Sequence, residues 1–312
     1  MIKLSNINSN NLHHFAHEAM ATIFEVLIQS ENKNYAEQAA QNVFAEIDNL
    51  EDKFSRFRSN TDIAKINNSK IEEEIILSFE TFECIWIAKN IYEMTNGLFD
   101  ITTGNIIDKW KNKSEASQSS NGIYSDFGND KFILNENDYT IRILNDKVSF
   151  DLGGIGKGYA VDLAAKLLLE WDLENALIHG GGSSVKTIGK LDDKNGWPVT
   201  ISNPINYEQI IARLNLSNLS LSGSGKQKHN HIINPKTLLP NYNRTAAWVL
   251  TESAAISDAV STAFMLMDKN EILEFCKIND YINAMIILND NAELKKHDLI
   301  ISDNFGGAEF FV

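Results

Sequence analysis

One stretch of the chain decides how it folds around a ligand: Val148-Ser-Phe-Asp-Leu-Gly-Gly-Ile-Gly-Lys-Gly-Tyr-Ala-Val-Asp162. It joins a predicted strand, residues 148–152, to a predicted helix, residues 159–171. Glycines at such a turn let a ligand approach the backbone, and the helix N-terminus offers free N–H groups to an anion. Lys157 adds a positive charge. The spacing matches neither G-x-G-x-x-G nor the Walker pattern, and glycines that serve only a tight turn are the alternative.

Outward from this stretch, the apolar periodicity predicts strands in clusters between helices. This irregular alternation favours an α+β fold, with mixed sheets and packed helices, over a doubly wound sheet. Residues 113–121 are rich in Ser, Asn and Glu and are expected to form a surface loop. Further strands are predicted at residues 22–28, 131–134, 140–144, 176–178, 199–202, 210–216 and 248–250, and helices at residues 35–54, 78–95 and 253–267.

Length, charge and cysteine content narrow the function classes. A chain of 312 residues can bury a large core. Its net charge of -14 argues against a nucleic-acid partner, although a phosphorylated small molecule needs only a few local donors. Cys84 and Cys276 are expected to be buried free thiols rather than a disulfide. We expect no membrane span, and without a visible secretion signal we expect a cytoplasmic protein unless an export segment is missing.

After the glycine-rich stretch, the second candidate for a binding site is the pair Asp258 and Thr262. They lie four residues apart on a predicted helix, so their oxygen atoms project from the same face. A carboxylate and a hydroxyl so placed suit a hard cation such as Mg²⁺. A solvated helix face, or a hydroxyl bonded back to its own helix, is the alternative.

Three further segments have residue types that suit a binding site. His231 precedes a loop that contains Pro235, and its pKa near neutrality suits a general base, although a lone His is more often structural. In Asn96-Gly-Leu-Phe-Asp-Ile-Thr-Thr103, Phe99 could cover a ring and Asp100 could accept hydrogen bonds, with a structural turn as the alternative. The run Gly180-Gly-Gly182 would permit close backbone approach, or would form a plain loop.

In this order, the segments resemble the motifs of the ApbE family of FAD:protein FMN transferases. The resemblance runs from about residue 20 to residue 267. It suggests an N-terminal extension, residues 1–19, followed by an ApbE-like, two-lobed single domain, residues 20–312. The matching segments are Met20-Ala-Thr22, Ser55-Arg-Phe57 to Asn67, Gly97-Leu-Phe-Asp100, residues 151–162, Gly180-Gly-Gly182, His231-Ile-Ile-Asn-Pro-Lys-Thr237 and Asp258-Ala-Val-Ser-Thr262.

This resemblance implies an enzyme that uses FAD as substrate and Mg²⁺ as cofactor. Such enzymes split the FAD pyrophosphate, attach FMN to a Thr hydroxyl of an acceptor flavoprotein and release AMP. His231 would remove the proton of the Thr hydroxyl. The metal would bind Gly154 through its carbonyl, together with Asp258 and Thr262. The FAD contacts implied by similarity are Met20, Phe57, Leu98, Phe99, Asp100, Asp151, Lys157 and Ile232.

The chain departs from the family pattern at several positions, most of them in the second half of the site. Phe57 stands where the family has Tyr, and Asn234 and Leu238 stand where Asp and Gly are usual. Ser183 and Leu221 also differ from the usual residues. Two alternative functions therefore stay open: an FAD pyrophosphatase that gives FMN and AMP, and an FAD-binding protein without chemistry.

Overall fold

The structure, a computed structural model, describes residues 2–4, 11–111, 126–192, 194–226, 232–240, 244–302 and 305–312. Within these ranges, seven α-helices pack with three β-sheets, which confirms the predicted α+β class. None of the described helices is both long and apolar enough to cross a membrane. The helices are α1 Lys33–Phe54, α2 Asp62–Asn67, α3 Phe79–Met94, α4 Gly104–Lys111, α5 Gly156–Glu170, α6 Ala254–Phe264 and α7 Lys269–Ile278.

The strands form one large sheet and two smaller ones. The large sheet has eight strands in the order β14-β13-β12-β11-β8-β7-β3-β2, a second has the order β1-β9-β10-β15, and the third the order β4-β6-β5. All strand pairs in them are antiparallel. The strands are β1 Ile2–Leu4, β2 Leu12–Ala19, β3 Thr22–Gln29, β4 Glu74–Ile76, β5 Phe132–Asn135, β6 Thr140–Ile143, β7 Ala176–Gly180, β8 Ser184–Ile188, β9 Trp197–Ser202, β10 Ile210–Leu216, β11 Ser220–Gly225, β12 Ala246–Thr251, β13 Asn283–Ile287, β14 Leu299–Ile301 and β15 Glu309–Phe310.

The large sheet has a hydrophobic core on each face. Along β12, Val249 packs with the helices while Trp248 and Leu250 pack with the second sheet, because successive side chains of a strand point to opposite faces. The same alternation places Ile286 and Met285 of β13 in different cores. The chain therefore folds in three layers: the helices, the large sheet and the second sheet. The central strands are continuously apolar because both of their faces are buried.

Most predicted elements are present with shifted ends, and one is wrong. Residues 148–152 form no strand, since Ser149 makes only an isolated bridge with Thr103. The segment enters α5 through turns, so its apolar residues are buried without a ladder of hydrogen bonds. The elements that were not predicted are the strands β1, β2, β4, β8, β11, β13, β14 and β15 and the helices α4 and α7. Both Cys84 and Cys276 are buried free thiols, as expected. The predicted loop at residues 113–121 lies outside the described residues.

The N-terminal segment contributes strands to two sheets. Strand β1 pairs with β9, and β2 pairs with β3 along its whole length. Met20 and Ala21 form the two-residue turn between β2 and β3, with φ angles of 51° and 57°. Such a turn favours Gly or Asn at these angles. The Met20 N–H donates to Glu51 Oε2 at 2.8 Å and so ties the turn to α1. The division of the chain at residue 20 stays a prediction.

We expect Ala21→Gly to raise the free energy of unfolding by about 0.5–1 kcal/mol, because it removes the steric cost of a left-handed Ala. Urea denaturation measures the change. The matched control is Ala45→Gly, at an exposed position inside α1. There the same substitution should lower the free energy of unfolding by about 1 kcal/mol. A loss of stability in both variants would contradict the role of the turn.

Candidate functional site

A cavity of about 380 Å³ lies at one end of the large sheet. The turn between β7 and β8, the last residues of β11 and the first residue of β12 meet there. Helix α6 and the glycine loop before α5 close one side, and the segment after α3 closes another. The cavity is lined by Leu98, Phe99, Asp100, Ile101, Thr103, Ile107, Asp151, Gly153, Gly154, Lys157, Gly181, Gly182, Ser183, Pro204, Gly223, Ser224, Gly225, Ile232, Ile233, Pro235, Ala246, Trp248, Asp258, Thr262 and Leu266.

The glycine loop reaches the cavity because α5 and α6 pack in direct backbone contact. A Cβ atom added at Gly158 would lie 2.2 Å from the Ala254 carbonyl oxygen, so only glycine fits there. One turn further along α5, Asp162 accepts hydrogen bonds from the Ala254 and Ala255 N–H groups, both at 2.9 Å. It also accepts one from the Ser253 hydroxyl at 2.8 Å. Asp162 therefore binds the free N–H groups at the start of α6 and fixes the register of the two helices.

We expect Gly158→Ala to lower the free energy of unfolding by about 2–3 kcal/mol, since the added methyl group forces the two helix backbones apart. Thermal or urea denaturation measures it. Gly156→Ala is the matched control in the same helix, where the nearest atom to an added Cβ is Phe54 Cδ2 at 3.4 Å. This control should fold like the parent chain. Equal stability of both variants would contradict the close contact.

Asp258 is a buried residue of the cavity wall. The residue is 3% exposed, so the alternative of a solvated helix face is wrong for it. Its Oδ2 accepts a hydrogen bond from the Gly158 N–H at 3.1 Å. Burial raises the pKa of the Asp258 carboxyl above its ordinary value, and the nearby Lys157 charge and the Gly158 N–H oppose that shift. A cation at this carboxylate would offset the unfavourable burial of its charge.

Thr262 and Gly154 lie beside each other across the contact between α6 and the glycine loop. A Cβ added at Gly154 would lie 3.5 Å from Thr262 Oγ1. The Thr262 hydroxyl is 3.3 Å from the Asp258 carbonyl oxygen of its own helix and 3.1 Å from Ser224 Oγ. Ser224 is also 2.8 Å from Ser261 Oγ, so three hydroxyl groups form a chain at the cavity wall. Neither Ser224 nor Ser261 was among the residues predicted from the sequence.

Asp100 is a residue of the cavity wall with one carboxylate oxygen that has no partner in the part of the chain that the structure describes. Its Oδ1 accepts hydrogen bonds from the Thr102 N–H at 2.8 Å and the Thr102 hydroxyl at 2.7 Å. Its Oδ2 is buried and has no hydrogen-bond partner among the described residues. Burial raises the pKa of this carboxyl to about 6, although the bonds from Thr102 oppose the shift. A buried carboxylate oxygen without a donor is unfavourable in the free protein, so Oδ2 is suited to an N–H or O–H group of a ligand.

The pKa of Asp100 makes stability depend on pH. An unfolded Asp loses its proton near its ordinary pKa of 3.8, whereas folded Asp100 keeps it up to about 6. Between these two pH values the folded state binds more protons than the unfolded state. The contribution of Asp100 to the free energy of unfolding therefore falls as pH rises, by at most about 1.4 kcal/mol per pH unit.

We therefore expect Asp100→Asn to gain stability relative to the parent chain as pH rises from 4 to 6, with no further change above about pH 7. Urea denaturation of both proteins across this range measures the difference. A difference that does not vary with pH would contradict the raised pKa.

Arg56 is a buried cation that was not among the site residues predicted from the sequence, although it lies within the matching segment Ser55-Arg-Phe57. Its Nε lies 3.1 Å from Asp151 Oδ2, and its Nη2 contacts Asp108 Oδ1 on α4. Asp151 Oδ1 accepts a hydrogen bond from the Gly153 N–H at 2.7 Å. Lys157 Nζ is 3.3 Å from the Gly153 carbonyl oxygen. Both signs of charge therefore surround the start of the glycine loop.

Most of the predicted site residues line one cavity. Met20 and Phe57 do not: Met20 lies in the hairpin turn, and Phe57 is 80% exposed. His231 lies outside the described residues, and its predicted role stays a prediction. The predicted residues that line the cavity are Leu98, Phe99, Asp100, Asp151, Gly154, Lys157, Ile232, Asp258 and Thr262.

The departures from the family pattern have distinct structural consequences. Leu238 has a φ angle of 58°, the conformation that favours glycine, and its side chain packs with Ile106 and Ile233. Its carbonyl oxygen accepts a hydrogen bond from Trp110 Nε1 at 2.9 Å. This packing offsets the backbone cost of a left-handed Leu. Two further departures, Ser183 and Leu221, lie respectively at the cavity wall and in the core between the two larger sheets.

Comparison with known proteins agrees with this architecture. The sequence profile of the ApbE family matches residues 20–286. The chain belongs to the ApbE family. It is 28% identical over 262 residues to an FAD:protein FMN transferase of Chlamydia muridarum, with 78% of this chain and 80% of the relative covered. It is 23% identical to one of Haemophilus influenzae, with 84% and 82% covered. Both of these relatives are FAD:protein FMN transferases by name.

Solved structures of ApbE proteins share the fold. The flavin transferase ApbE from Vibrio cholerae matches with a TM-score of 0.82 at 20% identity, over 94% of this chain and 98% of that one. The ApbE protein of Thermotoga maritima matches with the same TM-score at 24% identity and the same coverage. At these identities the likeness concerns the fold, and it confirms that the three-layer arrangement is the ApbE architecture.

Proposed function

We propose that this ApbE-family chain is a Mg²⁺-dependent FAD:protein FMN transferase. In the proposed reaction, the Thr Oγ of an acceptor protein forms a bond to the FMN phosphorus. The bond from that phosphorus to the bridging oxygen breaks, and AMP leaves with that oxygen. The observation that carries the proposal is the meeting of the glycine loop, Lys157 and the Asp258–Thr262 pair in one cavity.

The cavity residues support distinct parts of this reaction. The N-terminus of α5 and Lys157 provide positive potential for a pyrophosphate. The Asp100 Oδ2 atom can accept a hydrogen bond from the nucleotide, and Phe99 provides an apolar surface for a ring. Phosphoryl transfer depends on positioning and charge neutralisation more than on covalent chemistry by the protein, and these residues supply both. The proposed base, His231, directly precedes Ile232 of the cavity wall.

The donor set fits a small hard cation. The Asp258 carboxylate, the Thr262 hydroxyl and the Gly154 carbonyl are oxygen donors that Mg²⁺ accepts. Among the described residues, no group of three or more His, Cys, Asp or Glu is suited to hold a metal. A cation here would therefore complete its coordination with water and substrate phosphate, as Mg²⁺ commonly does. When bound, Mg²⁺ would neutralise charge on the pyrophosphate as a Lewis acid.

One assay separates the proposed transfer from the two alternatives. The purified chain is incubated with FAD and Mg²⁺, with an acceptor domain that carries a target Thr or with its Thr→Val variant. Released AMP and protein-bound flavin are then measured. Transfer predicts both products only with the Thr acceptor. AMP without any acceptor would indicate a pyrophosphatase instead, and FAD binding with no AMP would indicate a binding protein.

We expect Asp258→Asn to lower turnover by about two orders of magnitude or more, because the site loses its only proposed metal-binding charge. Asn keeps the shape of the side chain and removes a charge whose burial is unfavourable, so the variant should fold at least as well as the parent chain. Calorimetric titration with Mg²⁺ tests the metal directly. Asp172→Asn, at an exposed position after α5, is the matched control. Unchanged turnover and Mg²⁺ binding in Asp258→Asn would refute the metal assignment.

A further inference from the structure

Arg56 lies between a residue of the cavity wall and an exposed aromatic ring. Its side chain is only 7% exposed, and it carries two carboxylate partners, Asp151 and Asp108. The guanidinium carbon lies 4.9 Å from the centroid of the Phe57 ring. Arg56 therefore contacts both Asp151, which lines the cavity, and Phe57, which is outside it.

The surrounding backbone leaves room for the guanidinium. A Cβ added at Gly104, the first residue of α4, would lie 2.8 Å from Arg56 Nη1. The Ser149 backbone oxygen and hydroxyl lie as close, both at 2.7 Å, so no residue larger than glycine fits beside the arginine head group. Asp108 lies one turn further along the same helix, so α4 supplies both the space and one counter-charge. The guanidinium thus lies against α4, Asp151 and the Phe57 ring.

We infer that Arg56 is a positioning residue for the flavin nucleotide, which deepens the proposed function and rests on it. Arg56 holds the Asp151 carboxylate, whose other oxygen accepts the Gly153 N–H, and so fixes the start of the glycine loop. On its other side, Arg56 supports the Phe57 ring. Arg56 thus contacts two of the residues proposed to bind FAD, Asp151 in the cavity wall and Phe57 outside it.

An arginine suits this position better than a lysine. Its planar group can bind two carboxylates and stack on a ring at the same time, whereas an ammonium group is a compact point charge without a stacking face. Net charge is the same in both cases. Arg56→Lys therefore tests the geometry of the guanidinium without changing the electrostatic balance of the site.

The experiment measures the FAD dissociation constant by quenching of flavin fluorescence, together with KM for FAD and kcat. The proteins are the parent chain, Arg56→Lys, Asp151→Asn and the double variant. We expect Arg56→Lys to weaken FAD binding about tenfold, because a compact ammonium group cannot keep both ion pairs and the contact with the Phe57 ring. KM should rise by a similar factor with a smaller change in kcat. If Arg56 acts through Asp151, the double variant should bind FAD only slightly more weakly than Asp151→Asn.

The control is Arg142→Lys, on β6, where the arginine is 44% exposed and pairs with Glu72 at 3.5 Å. It should bind FAD like the parent chain. Thermal denaturation identifies a variant that fails to fold, and Arg56→Gln then provides a second test at the same position. Parent-like FAD binding in Arg56→Lys, or fully additive effects in the double variant, would overturn the inference alone. Absence of FAD binding by the parent chain would instead overturn the proposed function, and the inference with it.

Discussion

The contact between α5 and α6 at Gly158 is the constraint on which the rest of the site depends. The two helices approach so closely that a single methyl group would meet the Ala254 carbonyl oxygen. This approach brings the Gly158 N–H within hydrogen-bond distance of Asp258, and Asp162 fixes the register by capping α6. The glycine loop and the carboxylate of α6 come from residues about 100 positions apart, and this one contact makes them neighbours.

Two buried carboxylates determine the electrostatics of the cavity wall. Asp258 and Asp100 both have raised pKa values because they are buried, and both lie at the cavity wall. A protein with a net charge of -14 would repel a pyrophosphate unless local cations and N–H groups compensated for it. Lys157 and the N-terminus of α5 place a positive charge and free N–H groups at one wall. A carboxylate whose charge is unfavourable in the free protein is typical of a site where a bound cation or a donor group of the substrate stabilises that charge.

The sequence predicted the cavity better than it predicted the sheets around it. Motifs with local chemistry, such as the glycine loop and the Asp258–Thr262 pair, have a spacing that fixes their relative positions on helices. The strands β8 and β11 escaped prediction, because Ser and Gly within them weaken the apolar pattern and their burial comes from neighbouring strands. Residues 148–152 show the opposite error, since an apolar run that packs as turns has the composition of a strand.

Met20 and Phe57, the two predicted contacts outside the cavity, are held by interactions that the sequence motifs do not show. Met20 is held at its N–H by Glu51, and Glu51 Oε1 in turn pairs with Arg58 at 2.9 Å. Phe57, between the two arginines, lies against Arg56. The end of α1 and the loop after it therefore position both family-implied contacts that the cavity leaves out. The sequence motifs place Phe57 next to Arg56. Only the tertiary structure shows that Arg56 forms an ion pair with Asp151 and so connects this segment to the glycine loop.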